Sequence, residues 1–159
     1  FECVFKGEGI NKSDVLNQIS LPTISYVSQD SLLYEDSIYY NITLRSKVDF
    51  NDNKFLNACD IAEVDIPNIS RLSIKNSSLY LGDSNGIILS GGQKKRISIA
   101  RAIYRKPKIL FMDEPTAGLD ANQERRIIVK IRKWLPNTTI IMITHSLRLL
   151  DLSDHQITL

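Results

Sequence analysis

Ile109-Leu110-Phe111-Met112-Asp113-Glu114-Pro115 is the stretch whose reading decides the fold. Four consecutive apolar residues ending in two carboxylates read as a short buried strand, as in a sheet covered on both faces. Upstream, a basic helix runs from Lys94 to about Tyr104 and is ended by Pro107. Downstream, a helix spans about Asn122 to Trp134, stopped near Pro136, and Thr138–Ile143 reads as another buried strand. Thr23–Ser28, after Pro22, is an earlier strand, and Gln156–Leu159 begins a last one. Strand, helix, strand, helix, strand is the rhythm of a parallel α/β sheet. Ligands of open α/β sheets bind outside the carboxyl ends of the strands, so Asp113 and Glu114 point into a candidate site. One acid can hold a hard cation such as Mg2+ while its neighbour accepts a proton from water. The bland alternative is a strand that ends in a solvated acidic turn.

A second string bears on that choice. In Leu89-Ser90-Gly91-Gly92-Gln93, two glycines let the backbone approach a ligand closely, and a helix follows at once. Their N–H groups and the helix dipole make an anion site, with the Ser90 hydroxyl as a further donor. A glycine turn capped by serine is the alternative. Farther out, Ser37 to about Leu72 is helical and polar, with Ile38, Ile42, Phe55, Leu56, Ala58, Ile61 and Ala62 at three- and four-residue steps. Asn and Asp clusters punctuate this block, which suits a small helical subdomain. Gly82-Asp83-Ser84-Asn85-Gly86 is a loop by composition, and Phe1–Ile10 reads as a hairpin.

The 159 residues are 43% hydrophobic and 24% charged. A chain of this length suits one domain able to bury roughly 68–70% of its unfolded surface. Twenty basic against 18 acidic residues give no electrostatic case for nucleic acid. Two cysteines, Cys3 and Cys59, exclude a disulfide scaffold and favour a reducing compartment. No apolar run approaches the roughly 20 residues that span a bilayer. Glu2, Lys6 and Glu8 stand where the apolar core of a signal peptide would lie. The chain begins without methionine, and a role at a membrane would be that of a peripheral or severed part.

Leu89–Gln93, Ile109–Pro115, Ala117-Gly118-Leu119-Asp120 and Thr144-His145-Ser146 together resemble the nucleotide-binding domain of ATP-binding cassette (ABC) transporters. They match, in order, that family's signature motif, Walker B strand, D-loop and switch histidine, and Tyr26-Val27-Ser28-Gln29-Asp30 resembles its Q-loop. The spacing agrees, with 20 residues from Gln93 to Asp113 and 32 from Asp113 to His145. The resemblance implies a P-loop NTPase-like (RecA-like) α/β fold, a parallel sheet core with an inserted α-helical subdomain. Residues 1–36 would carry the N-terminal strands and Q-loop, 37–96 the helical subdomain ending in the signature, and 97–159 the rest of the core.

The resemblance also implies ATP and Mg2+ as ligands. Asp113 would hold Mg2+ through its water shell, Glu114 would be the general base, and His145 would contact the γ-phosphate. Gln29 would sense Mg2+ and the attacking water, and relay that state to the transmembrane domain. Ser90, Gly91, Gly92 and Gln93 would close over ATP held by a second nucleotide-binding domain in a head-to-tail dimer, with Asp120 at the interface. The stretch Gln29–Ile38 followed by Asn41-Ile42 looks like the exporter branch, placed at the cytoplasmic face of a cell membrane. Ser28 replaces that branch's usual proline, and the Gly82–Gly86 loop has an extra residue and Asp83 for the usual Glu. Richness in Asn, Ile, Lys and Ser is associated with bacteria of AT-rich genome.

A Gly-x4-Gly-Lys-Ser/Thr phosphate loop is absent from the sequence. The nearest string, Lys6–Ser13, has Lys6 and Asn11 where both glycines belong, and its Lys12 lies 17 residues before Gln29. The expectation is therefore an N-terminally truncated ATPase domain, weak in binding ATP alone and doubtful in independent stability. Two other readings stand beside it: a non-transport ATPase of the repair or translation type, and a non-catalytic interaction module.

Overall fold

The computed structural model describes residues 24–46, 52–65 and 88–157. The expected hairpin at Phe1–Ile10, the Lys6–Ser13 string, the Gly82–Gly86 loop and the end of the Gln156–Leu159 strand lie outside these residues. Gln156 and Ile157 are described and carry no strand.

The elements run β1 (Ile24–Val27), α1 (Ile38–Thr43), α2 (Asn53–Ile61), α3 (Gly91–Tyr104), β2 (Ile109–Asp113), α4 (Ala121–Trp134) and β3 (Thr139–Ile143). A 3-10 helix at Leu147–Leu152 follows. The three strands form one parallel sheet in the order β1-β2-β3. Tyr26 is paired with Phe111 and Phe111 with Ile141, while Asp113 faces Ile143. The α/β parallel core read from the sequence is thus present.

Leu110 and Met112 of β2 are fully enclosed and meet a core of Val27, Ile97, Ile99, Ile103, Ile127, Ile131 and Leu149. Each such side chain contributes about 1.5–3 kcal/mol by leaving water. The opposite face departs from expectation. Tyr26, Phe111, Ile141 and Ile143 are exposed, so β3 is not the buried strand its composition suggests. The reason is local. Residues alternate across a strand, and among the described residues the helices cover one face of this sheet only.

Side-chain caps set the starts of the helices. Ser37 accepts the Tyr40 N–H at the start of α1, and Asp52 accepts the Phe55 N–H at the start of α2. Asp52 is buried and also accepts the hydroxyls of Tyr39 and Tyr104, at 3.2 and 2.8 Å. Burial and then the Asp52 contact push the Tyr104 phenol up to about 12. The helix expected from Lys94 begins earlier, at Gly91. Ser90 and Gln93 form a reciprocal capping box that draws both glycines into the first turn.

Candidate nucleotide site

Asp113 ends β2, and Glu114 follows with φ 44°, a left-handed conformation that non-glycine residues rarely hold. Two bonds fix it there. The Glu114 N–H donates to the Ile143 carbonyl at 2.9 Å, and the His145 N–H donates to Glu114 Oε1 at 2.8 Å. The turn thereby points the Glu114 carboxylate across the end of β3. His145 Nε2 lies 3.8 Å from the same oxygen, and its side chain is 98% exposed. The two strand ends therefore bring Asp113, Glu114 and His145 into one place, facing solvent.

The turns carrying these groups are braced from behind by Glu124, a buried acid in the first turn of α4. It accepts the Thr116 hydroxyl at 2.5 Å and the Ser146 hydroxyl at 2.9 Å. Asp113 makes one long contact, at 3.4 Å from the Tyr26 hydroxyl, so its oxygens retain acceptor capacity. Desolvation and then the Asp113 charge raise the pKa of that phenol. Among the described residues no cluster of three or more acidic, His or Cys side chains could cage a metal. One carboxylate beside a phosphate ligand is, however, the way Mg2+ is commonly held.

Gln29 follows β1, beside β2 in the sheet, and its side chain is exposed. Its backbone is gripped from α3, where the buried Lys95 ammonium donates to the carbonyls of Ser28, at 3.1 Å, and Gln29, at 2.5 Å. Burial lowers the Lys95 pKa, and the charges of Asp30, Asp113 and Glu114 oppose that fall. Farther along, the Arg101 guanidinium donates to the carbonyls of Leu32 and Asn41 and to Asn41 Oδ1. Fully buried Asn41 in turn accepts the Tyr34 N–H and donates to the carbonyls of Tyr34 and Ser37. The segment after Gln29 is thus pinned from below while Leu32 and Tyr34 stay exposed.

Ser90–Gln93 occupy a different place. No hydrogen bond or ion pair among the described residues joins them to Asp113, Glu114 or His145. Gln93 Oε1 accepts the Ser90 N–H, and Ser90 Oγ accepts the Gln93 N–H, so both side chains serve the cap. A Cβ on Gly91 would meet nothing within 4 Å, whereas one on Gly92 would meet Leu119 Cδ2 at 3.2 Å. Gly92 is needed for packing and Gly91 presents open backbone. Asp120 caps α4, accepting the N–H groups of Asn122 and Gln123, and Gly118 before it needs its φ of 82°.

Sequence reasoning gave Lys95, Arg101 and Glu124 no role, and it named Asn41 only as part of the exporter-like stretch. For Lys95 the signal existed: its position, three and four residues before Ser98 and Ile99, is on the buried stripe of α3.

The family model for ABC transporters matches residues 5–117. The microcin-J25 export ATP-binding/permease protein McjD of Escherichia coli is 34% identical over 148 residues, covering 87% of this chain and 25% of the relative. The ATP-dependent lipid A-core flippase of Thiobacillus denitrificans is 32% identical over 152 residues, covering 96% of this chain and 26% of the relative. In structure the chain is similar to a bacterial Atm1-family ABC exporter with ATP bound, with TM-score 0.67, 31% identity, 84% of this chain and 23% of that one. The chain spans about a quarter of the length of these proteins. The matched motifs, the relatives and the fold agree, and the chain belongs to the ABC transporter family.

Proposed function

We propose that this chain is part of the ATP-hydrolysing module of an exporter, at the cytoplasmic face of a membrane, and works with a phosphate loop that its own sequence does not contain. Its partners are a transmembrane domain and a second nucleotide-binding module. The observation that carries the reading is the Glu114 turn, which sets a carboxylate against the His145 backbone at the carboxyl end of a parallel sheet. Glu114 acts as general base, accepting the proton of the attacking water. His145 reaches from its exposed position to the γ-phosphate and stabilises charge developing there. Asp113 and the Gln29 side chain would hold Mg2+ when it is bound. The ion, when bound, offsets negative charge on the phosphates.

Ser90–Gln93 act on nucleotide held by the second module. Open space lies where a Cβ on Gly91 would stand, and the Ser90 hydroxyl, an acceptor in the cap, still has its proton to donate. Gln93 and Gly92 shape that turn, and Asp120 sets the start of α4 beside it. Leu32 and Tyr34, exposed on the segment that Arg101 and Asn41 pin, form the surface offered to the transmembrane partner.

The test is Mg2+-dependent turnover by the assembled protein. Asp113→Asn removes a hard anionic ligand, and His145→Ala removes a γ-phosphate contact. Each is expected to lower turnover by roughly 100-fold or more. Turnover that survives Asp113→Asn with its Mg2+ dependence unchanged overturns the assignment.

A further inference from the structure

Lys95 is a buried charge that the proposed chemistry does not use. Its relative exposure is 4%, and among the described residues no carboxylate lies within ion-pairing distance of it. An ammonium has three donors and no acceptor, and two of these donors are spent on adjacent main-chain carbonyls, Ser28 and Gln29. Those carbonyls belong to the exit of β1, where the chain turns toward the Gln29 side chain. Lys95 itself sits one helical turn into α3, whose first residues are Gly91 and Gly92.

The energetics make this contact stiff. Hydrogen bonds from a charged donor are about twice as strong as neutral ones. A buried ammonium stripped of its acceptors is costly, because a charge out of water needs hydrogen-bond partners. If the Gln29 turn moved away from α3, Lys95 would be left buried with neither carbonyl. Displacement of the turn is therefore penalised unless the helix travels with it. The negative charges of Asp30, Asp113 and Glu114 favour a cation there.

We propose that Lys95 is a positioning residue that locks the Gln29 turn to the Ser90–Gln93 helix, so that the two move as one body. The inference rests on the ATPase reading above and adds a physical link to it. Gln29 serves nucleotide bound by this chain, and Ser90–Gln93 serve nucleotide bound by the second module. Lys95 joins the two within one helical turn.

The decisive experiment is a double-mutant cycle on turnover in the assembled protein, using Lys95→Met, Gln29→Ala and the double variant, with Glu114→Gln measured alongside. Lys95→Met keeps the length of the side chain and removes charge and donors. Misplacing a reacting group by about 1 Å can cost up to 100-fold, so Lys95→Met is expected to lower kcat by roughly tenfold or more, with KM for MgATP changed far less. In the Gln29→Ala background the same substitution is expected to cost less than about twofold, because the residue it acts through is gone. Equal losses in both backgrounds, or no loss in either, overturn the proposal. Should Lys95→Met fail to fold, Lys95→Gln enters the same cycle with the same criteria. Persistent turnover in Glu114→Gln overturns the ATPase reading itself, whereas loss of turnover there with no effect of Lys95 overturns the positioning role alone.

Discussion

At the scale of single residues, the site depends on Glu114 occupying a backbone conformation that costs about 1–3 kcal/mol. Its bonds to Ile143 and His145 hold it there, and the result is a carboxylate aimed across the strand ends. The two signature glycines differ in their surroundings, Gly92 lying close against Leu119 and Gly91 beside open space. In Gly92→Ala the Leu119 side chain must give by a few tenths of an ångström while the helix gains propensity, so the two effects offset and the melting temperature is expected to move by no more than a few degrees. Gly91→Ala meets no atom and is expected to leave the melting temperature within about 1–2 °C, yet to reduce turnover, because its Cβ intrudes where ligand approaches. Thermal unfolding and turnover of the two variants check this, and unchanged turnover in Gly91→Ala contradicts the assigned role. The place of Asp113 and Glu114 at the end of a strand was legible from the apolar run before them, whereas their candidacy as site residues, and that of His145, rested on the resemblance of the combined motifs to the family. Lys95 was not legible, because Lys94-Lys95-Arg96 reads as a solvated basic face until the rotation of α3 is known.

At the scale of elements, α2 is joined to α4 by an ionic cluster. Glu63 follows α2 with φ 51°, and the Val64 N–H closes onto the Cys59 carbonyl, a helix ending that normally favours glycine. Arg126 grips Glu63 through two nitrogens, each at 3.0 Å, and Lys130 adds a third contact at 3.2 Å. Hydrogen bonding from Arg126, ahead of the Lys130 contacts, lowers the Glu63 pKa to about 2. A depressed carboxylate pKa stabilises the fold above the unfolded value of 4.5, and that contribution is lost as pH falls toward 2. Arg126 and Lys130 are partly exposed, so Glu63→Gln is expected to cost about 1 kcal/mol at pH 7. The gap to wild type in urea unfolding should close as pH is lowered from 4.5 toward 2; a gap independent of pH contradicts the ionic origin. Helix α4 was legible almost to the residue because Asp120 and Pro136 bracket it. The start of α3 was misread by three residues, since glycines suggest a loop until the capping box is recognised.

At the scale of the whole molecule, the parallel order β1-β2-β3 places Gln29, Asp113 and His145 at the carboxyl ends of three neighbouring strands. On the proposed function, that convergence would make a single site from residues far apart in the chain. The exposed face bearing Tyr26, Phe111, Ile141 and Ile143 was not legible, because a uniformly apolar strand does not reveal which face its neighbours cover. The central claim is that hydrolysis is catalysed by Glu114 at this convergence. Single-turnover ATP hydrolysis by the assembled protein, compared between wild type and Glu114→Gln with ATP binding measured in parallel, tests it most directly. The predicted result is a loss of roughly 100-fold or more in hydrolysis with binding retained. Hydrolysis within about tenfold of wild type in Glu114→Gln would contradict the assignment.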